Sequence, residues 1–222
     1  MKLSLVSPTL DEAAGIRECL TPLQRLRARG HEVIVVDGGS ADDTVARAAP
    51  LADQVLGAPR GRALQMNAGA QRATGEALVF VHADTLLPVD AATLVEQGLA
   101  AAPWGRFDVL IDGTHPMLAV IGAMMNLRSR LTGIATGDQA IFVRRALFES
   151  TGGFAPIPLM EDVEFSRRLR RLARPACLRA RVRTSGRRWT SRGVLRTMLL
   201  MWRLRLAFAC GADPARLAER YR

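Results

Sequence analysis

Four short apolar runs punctuate the first ninety residues: 3–7 (LSLVS), 32–37 (EVIVVD), 53–57 (DQVLG) and 77–82 (ALVFVH). Each is continuous rather than alternating, the pattern of strands covered on both faces. Between the first two, Ile16, Cys19, Leu20, Leu23 and Leu26 recur at helical spacing. Thr9-Leu10-Asp11-Glu12 has the form of a capping box and predicts the start of that helix. Residues 42–49 and 61–73 predict shorter helical connections. Strand, helix and strand in this rhythm predict right-handed crossovers and a Rossmann-like, mostly parallel sheet flanked by helices, an α/β fold.

Ligands of open parallel sheets bind beyond the carboxyl ends of the strands. The residues at those ends are Ser7-Pro8-Thr9, Asp37-Gly38-Gly39-Ser40, Pro59-Arg60-Gly61-Arg62 and His82-Ala83-Asp84. Their polar groups are expected to converge on one cleft. After Pro103 the pattern changes: 104–112 reads as a strand, 115–131 as a buried helix, and 137–154 as loop, strand, short helix and Gly-Gly turn. In 160–172, Phe165, Leu169 and Leu172 form an apolar stripe, and three residues before Phe165 stands Asp162. It is expected at the helix N-terminus on the inward face, where the dipole and free N–H groups keep a carboxylate ionised and fit for general-base work. Glu161 is expected about 100° round the helix from it.

With 222 residues, 49% hydrophobic and 23% charged, the chain is long enough for one folded domain and unlike a disordered segment. Cys19, Cys177 and Cys210 have no CxxC spacing and suggest neither a disulfide framework nor structural zinc. The N-terminal apolar run is too short for a secretory signal, so a cytoplasmic protein is expected. Charge does change the picture. Residues 1–111 hold 10 basic against 13 acidic side chains, residues 112–222 hold 21 against 8, and from Arg167 to Arg205 there are 14 arginines and no acid. Such a field attracts phosphate, whether on nucleic acid, a membrane or a diphosphate ligand.

The motifs, taken in order, resemble a family 2 glycosyltransferase with the GT-A-like nucleotide-sugar-binding fold. SPTLDE (7–12) stands at the family's first-strand turn, VVDGGSADDT (35–44) matches its Val-Asp-x-x-Ser-x-Asp-x-Thr signature, and GRALQMNAGAQRATGE (61–76) follows the third strand. HAD (82–84) occupies the metal-binding DxD position, and MEDVEFSRRL (160–169) the Glu-Asp motif of the acceptor side. The resemblance implies a nucleotide-diphosphate sugar donor, UDP-linked by family habit, bound by Pro8, Thr9, Glu12, Asp37, Gly39, Arg60, Arg62, Asn67, His82 and Asp84. It implies Mg²⁺ or Mn²⁺ on Asp84, a hydroxyl acceptor near Gly137, Asp138, Glu161 and Trp189, catalysis by Asp162 with Arg188 on the diphosphate, and inversion by direct displacement. It implies a domain over 1–190, with a donor half (1–112) and an acceptor half (113–190).

Two departures stand out. His82 replaces the first acid of DxD and removes a negative charge from the metal site. SGRRW (185–189) resembles the QxxRW motif of processive synthases but has Ser185 for Gln, so single transfer rather than polymerisation is expected. Beyond it, 191–222 reads as a basic, amphipathic helical extension. Arg192, Arg196 and Arg203 share one face, and Leu195, Met198, Leu199, Trp202 and Phe208 fill much of the rest. Its charges exclude a spanning helix. It can dock on the domain, or lie through 191–210 on an anionic membrane and bring a lipid-linked acceptor within reach.

Rival classes fare worse. A nucleotidyl transferase wants a Gly-rich, Lys-containing loop after its first strand and a dehydrogenase G-x-G-x-x-G, and neither is present. An Arg-rich nucleic-acid or membrane-binding module on an inactive GT-A fold is the remaining alternative. Nucleic acid is not the expected partner, because stacking platforms need aromatics, which are only 5% of the chain.

Overall fold

The computed structural model describes residues 1–221; Arg222, the last residue of the expected extension, lies outside the described residues. The strands are β1 (Leu3–Thr9), β2 (Glu32–Asp37), β3 (Gln54–Gly57), β4 (Ala77–Phe80), β5 (Thr85–Leu86), β6 (Trp104–Asp112), β7 (Phe142–Arg144) and β8 (Ala176–Ser185). The helices are α1 (Ile16–Leu20), α2 (Gln24–Arg27), α3 (Thr44–Ala48), α4 (Arg62–Arg72), α5 (Ala91–Ala101), α6 (Met117–Thr132), α7 (Arg145–Ser150), α8 (Glu161–Leu172), α9 (Arg187–Arg192), α10 (Val194–Ala209) and α11 (Pro214–Tyr221).

The strands make one sheet in the order β3-β2-β1-β4-β7-β6-β8-β5. Every residue of β1 and β2 is buried, as their unbroken apolar runs require when helices cover both faces. The first four strands pair in parallel, so Thr9, Asp37 and Gly57 end level with one another. Beyond β4 the parallel expectation fails. β7 runs antiparallel to both β4 and β6, β8 returns parallel to β6, and β5 closes the edge antiparallel to β8.

β8 was not anticipated from the sequence. Val182 and Thr184 point inward while Arg179, Arg181 and Arg183 face solvent, a period-2 alternation hidden inside the arginine field. Three of the fourteen arginines are thus the outer face of a strand.

Four other expectations are corrected. Thr9 caps no helix: it is the last residue of β1, its hydroxyl donates to Val36 O (3.4 Å), and α1 starts at Ile16 after an uncapped Gly15. The 115–131 helix is buried on one side only. α6 covers β6 with Leu118, Ile121 and Met125 but exposes Val120, Met124, Leu127 and Leu131. Leu172 is 63% exposed, and the inward stripe of α8 is Glu161, Phe165 and Leu169, four apart. Gly193, at φ +82°, breaks the 191–211 segment, so Arg192 belongs to α9 and does not share a helix with Arg196 and Arg203.

α8 sits on an aromatic cluster. Phe165 packs edge-on to Phe148 (5.5 Å between centroids) and at 4.4 Å from Phe154, which stands edge-on to Phe80 of β4. Such pairs add directional preference to simple burial, so the N-terminus of α8 is held in fixed relation to the end of β4. The helical extension docks on this same region through Leu204 and Leu217, which pack with Leu159 and Met160.

Candidate active site

Beyond the carboxyl ends of β1, β3 and β4 lies a cleft of about 480 Å³. Pro8, Thr9 and Glu12 wall one side, Arg60 and Arg62 another, and His82, Asp84 and Arg188 close the third. Seven of the ten expected donor-side positions line this one hollow together with Arg188; Asp37, Gly39 and Asn67 stand outside its walls. Asn67 is spent on structure, its amide donating to Phe154 O (2.8 Å) and its oxygen accepting from Phe154 N–H (2.9 Å).

The 35–44 motif works chiefly by holding loops. Asp37 Oδ2 accepts from the Gly39 and Ser40 N–H groups (2.9 Å each), and its Oδ1 from the Ser40 hydroxyl at 2.5 Å. Ser40, Asp42 and Thr44 then seize the loop after β1. The Asp11, Ala13 and Glu12 N–H groups donate to Ser40 Oγ (2.9 Å), Asp42 Oδ2 (3.0 Å) and Thr44 Oγ1 (2.8 Å) respectively. Glu12 is thereby fixed at the cleft, where Arg187 pairs with it at 2.8 Å. Both Asp37 oxygens are thus engaged in holding this loop.

The two halves meet at Arg62 and Glu161. Arg62 Nε lies 2.8 Å from Glu161 Oε1, and Glu161 is 2% exposed. Burial pulls Arg62 toward neutrality, but Glu161, Asp162 and Asp138 outweigh it and hold the guanidinium charged. Burial likewise pushes the Glu161 carboxyl up, with Arg62 recovering only part. Glu161 is therefore a buried anchor, and Asp162 beside it is the half-buried carboxylate.

Asp162 Oδ2 accepts the Gly137 N–H (2.8 Å). Gly137 also packs flat against the His82 ring: a Cβ there would lie 2.3 Å from His82 Cε1. His82 Nδ1 is 3.4 Å from Asp138 Oδ1. Burial works against charge on the imidazole, yet contact with Asp138 raises its pKa overall. Asp138 is lowered in return: burial opposes this, and His82, Arg62 and Arg188 prevail. Gly137, Asp138, Glu161 and Asp162 thus meet at the end of β4. They stand behind the cleft wall formed by Arg62 and His82 and do not line the cleft; Asp138 and Trp189 line a separate groove.

Sequence reasoning missed three contributors. Gln65 donates to Thr9 O (2.7 Å) and Val36 O (2.8 Å) and ties α4 to the strand ends. Arg187 anchors Glu12. Tyr221 lines the cleft, bonds Arg188 through its hydroxyl and lies under the Arg188 guanidinium at 3.7 Å from the ring centroid. Only Arg187 carried a signal, as the third residue of the SGRRW motif.

A divalent cation fits the donor set at Asp84. Its Oδ1 receives only a 3.3 Å contact from the Thr85 hydroxyl, and no group of three or more His, Cys, Asp or Glu side chains able to hold a metal occurs among the described residues. One carboxylate facing a diphosphate-sized cleft suits Mg²⁺ or Mn²⁺, which take their other oxygens from substrate phosphates and water. His82 turns Nδ1 to Asp138, and its buried Nε2 has no hydrogen-bond partner among the described residues.

Comparison with known proteins agrees with this geometry. The sequence model of a family described as "Glycosyl transferase family 2" matches residues 4–114. A relative from Mycobacterium bovis (strain BCG / Pasteur 1173P2), described as a PGL/p-HBAD biosynthesis glycosyltransferase, is 33% identical over 165 residues, 68% of this chain and 62% of its own length. The chain therefore spans under two thirds of that relative. Among solved structures, the mannosyltransferase PcManGT from Pyrobaculum calidifontis in complex with GDP-Man and Mn²⁺ superposes with a TM-score of 0.69 at 22% identity, covering 99% of this chain and 68% of its own. S. aureus TarS 1-349 in complex with UDP gives 0.65 at 22% identity, covering 83% and 60%. The shared architecture is that of the GT-A glycosyltransferases, a mixed, mostly parallel sheet with flanking helices.

Proposed function

This chain belongs to glycosyl transferase family 2, and from that premise we propose that it moves a hexosyl group from a nucleotide-diphosphate sugar to an acceptor hydroxyl, once per encounter and with inversion. The observation that carries the reading is Asp84 in the wall of the cleft, with Asp162 held behind the His82 wall of the same cleft through Gly137. Asp84 faces the donor side, and Asp162 is oriented by Gly137 on the acceptor side. A UDP-linked donor is the first to test, since the neighbours above hold UDP in one case and GDP-Man in another.

The donor base and ribose would lie along Pro8, Thr9 and Glu12, on the loop that Asp37, Ser40, Asp42 and Thr44 hold in place. The diphosphate would take Arg60 and Arg188, whose planar guanidinium suits two oxygens at once. Tyr221 holds Arg188 against the cleft wall. His82 with Asp138 would contribute a fixed, paired charge beside the phosphates. A divalent ion on Asp84 supplies charge neutralisation to the leaving diphosphate when bound.

Asp162 would accept the acceptor proton as the hydroxyl oxygen bonds to the anomeric carbon and the bond to the diphosphate oxygen breaks. The Gly137 N–H keeps one of its oxygens in place, and the other is aimed by its own helix start, where the Val163 N–H donates at 2.7 Å. Such donors fix the direction of the carboxylate. Ser185, at the end of β8, replaces the glutamine of the processive motif, which supports single transfer. A cytoplasmic setting is part of the reading; among the described residues no helix is long and apolar enough to cross a membrane.

The test is calorimetric titration of UDP, GDP and their sugars with and without Mn²⁺, on wild type and Asp84→Ala. Mn²⁺-dependent binding lost in the variant is expected. Absence of nucleotide binding under every metal condition sinks the reading.

A further inference from the structure

Asp138 and Trp189 open on a second hollow, a groove of about 220 Å³ between α6 and α10. α6 contributes Ile121, Met124 and Met125, and α10 contributes Met198, Met201 and Trp202. Thioether side chains reshape around whatever they cover. Inside this apolar lining stand two arginines, Arg128 and Arg205. Arg128 Nε and Nη2 and Arg205 Nε are buried, and each lacks a hydrogen-bond partner among the described residues. Leaving guanidinium donors dry and unpaired is costly. Burial lowers the Arg128 pKa, and Asp162 and Asp138, close enough to be felt, restore only part.

The rim extends the same chemistry outward. Val120, Met124, Leu127 and Leu131 on α6 and Leu195, Leu199, Trp202 and Leu206 on α10 follow one spacing, i, i+4, i+7 and i+11, and are 47–69% exposed. Met124 and Trp202 belong to both rim and groove, so the exposed apolar surface runs without a break into the hollow. Arg196 and Arg203, also exposed, flank it on α10. A small soluble ligand has no use for apolar surface outside the groove, whereas a membrane covers it.

We propose that this groove is the acceptor subsite and that its occupant is an anionic amphiphile held in a membrane surface. Its acid group sits on Arg128 and Arg205, its apolar body lies along the methionines and Trp202, and its hydroxyl is presented to Asp162. The acceptor role rests on the transferase reading above; the anion site does not. The two arginines turn an apolar groove into one that rejects neutral lipids, because only an anion satisfies the buried donors.

The probes are monomeric dodecyl phosphate, followed by Trp189 and Trp202 fluorescence, and phosphatidylcholine vesicles with or without phosphatidic acid, followed by co-sedimentation. Wild type is expected to bind dodecyl phosphate and the phosphatidic acid vesicles. Arg128→Gln should weaken both by about tenfold. Leu199→Glu, at an exposed rim position, should abolish vesicle binding and spare dodecyl phosphate. Equal binding of wild type and Arg128→Gln overturns the anion site. Dodecyl phosphate binding without vesicle binding overturns the membrane source in favour of a soluble amphiphile. UDP titration of the same samples separates the two readings: amphiphile binding without nucleotide binding removes the acceptor role and leaves the anion site standing.

Discussion

Arg62 Nε and Glu161 Oε1 stand 2.8 Å apart at the first residues of α4 and α8, so one ion pair ties the donor-side helix to the acceptor-side helix. Glu161 is almost wholly buried while Arg62 keeps 37% of its side chain exposed. The pair therefore works less as a source of stability than as a brace, because the carboxylate has no other charge partner in contact among the described residues. Asp162, next along α8, inherits its position from this brace and from the aromatic cluster beneath Phe165.

Arg62→Met leaves the Glu161 carboxylate buried and alone. A loss of about 2 kcal/mol is expected, below the range for fully buried pairs because Arg62 is partly solvated. Adding Glu161→Gln should restore much of it. Urea denaturation of the two single variants and the double variant measures the coupling, and purely additive losses would show that the brace is not there.

Asp162→Asn keeps the shape and the acceptance of the Gly137 N–H while removing the base. The turnover rate should fall by about 10²- to 10⁴-fold, with UDP affinity unchanged. Single-turnover assays alongside UDP titration test this, and a variant that retains full turnover assigns proton removal elsewhere.

Gly137→Ala forces a methyl group into the His82 ring, 2.3 Å from Cε1 and 2.4 Å from Nε2. The ring is enclosed and has to move, at an expected cost of about 1–3 kcal/mol, and the His82–Asp138 contact moves with it. Gly15→Ala is the control, since a Cβ there meets nothing within 4 Å. Thermal unfolding of both should show a drop in Tm for Gly137→Ala alone.

Glu32, buried at the start of β2, receives the Thr74 N–H (2.9 Å) and hydroxyl and lies 3.3 Å from Lys2 Nζ. Burial works against its ionisation, but these partners win and hold the carboxyl below its ordinary pKa. A depressed carboxylate stabilises the fold above its unfolded pKa, about 4.3, and that contribution fades as the pH falls through the folded value. Glu32→Gln should therefore cost about 1–2 kcal/mol at pH 7, and the gap to wild type should close in acid. Denaturation at pH 7 and pH 3 reads this directly; a gap that widens in acid contradicts the assignment.

The first ninety residues were legible because parallel strands buried on both faces write themselves as continuous apolar runs. The cleft followed from them, since strand direction alone places Pro8, Thr9, Asp37, Arg60 and Asp84 at one edge. The failures came where local pattern is shared by two structures. Thr9–Glu12 has the letters of a capping box, yet the pairing of Thr9 with Asp37 kept it in β1. The stripe of α8 was read one residue out of phase. Spacings of three and four both lie on a helix face, and only packing on Phe148 and Phe154 chose Glu161 as the buried carboxylate.

What the sequence by itself determined is the α/β class, the family and the carboxyl-end cleft, because each is carried by residues adjacent in the chain. Tertiary structure alone decided the antiparallel second half of the sheet, the loss of Asn67 to Phe154, the brace between Arg62 and Glu161 and the seat of Tyr221 under Arg188. It also decided that α6 and α10 face each other across an apolar groove with undischarged arginines. Those relationships join residues tens of positions apart, whose partners are selected by packing and charge in three dimensions and leave no periodic trace along the chain.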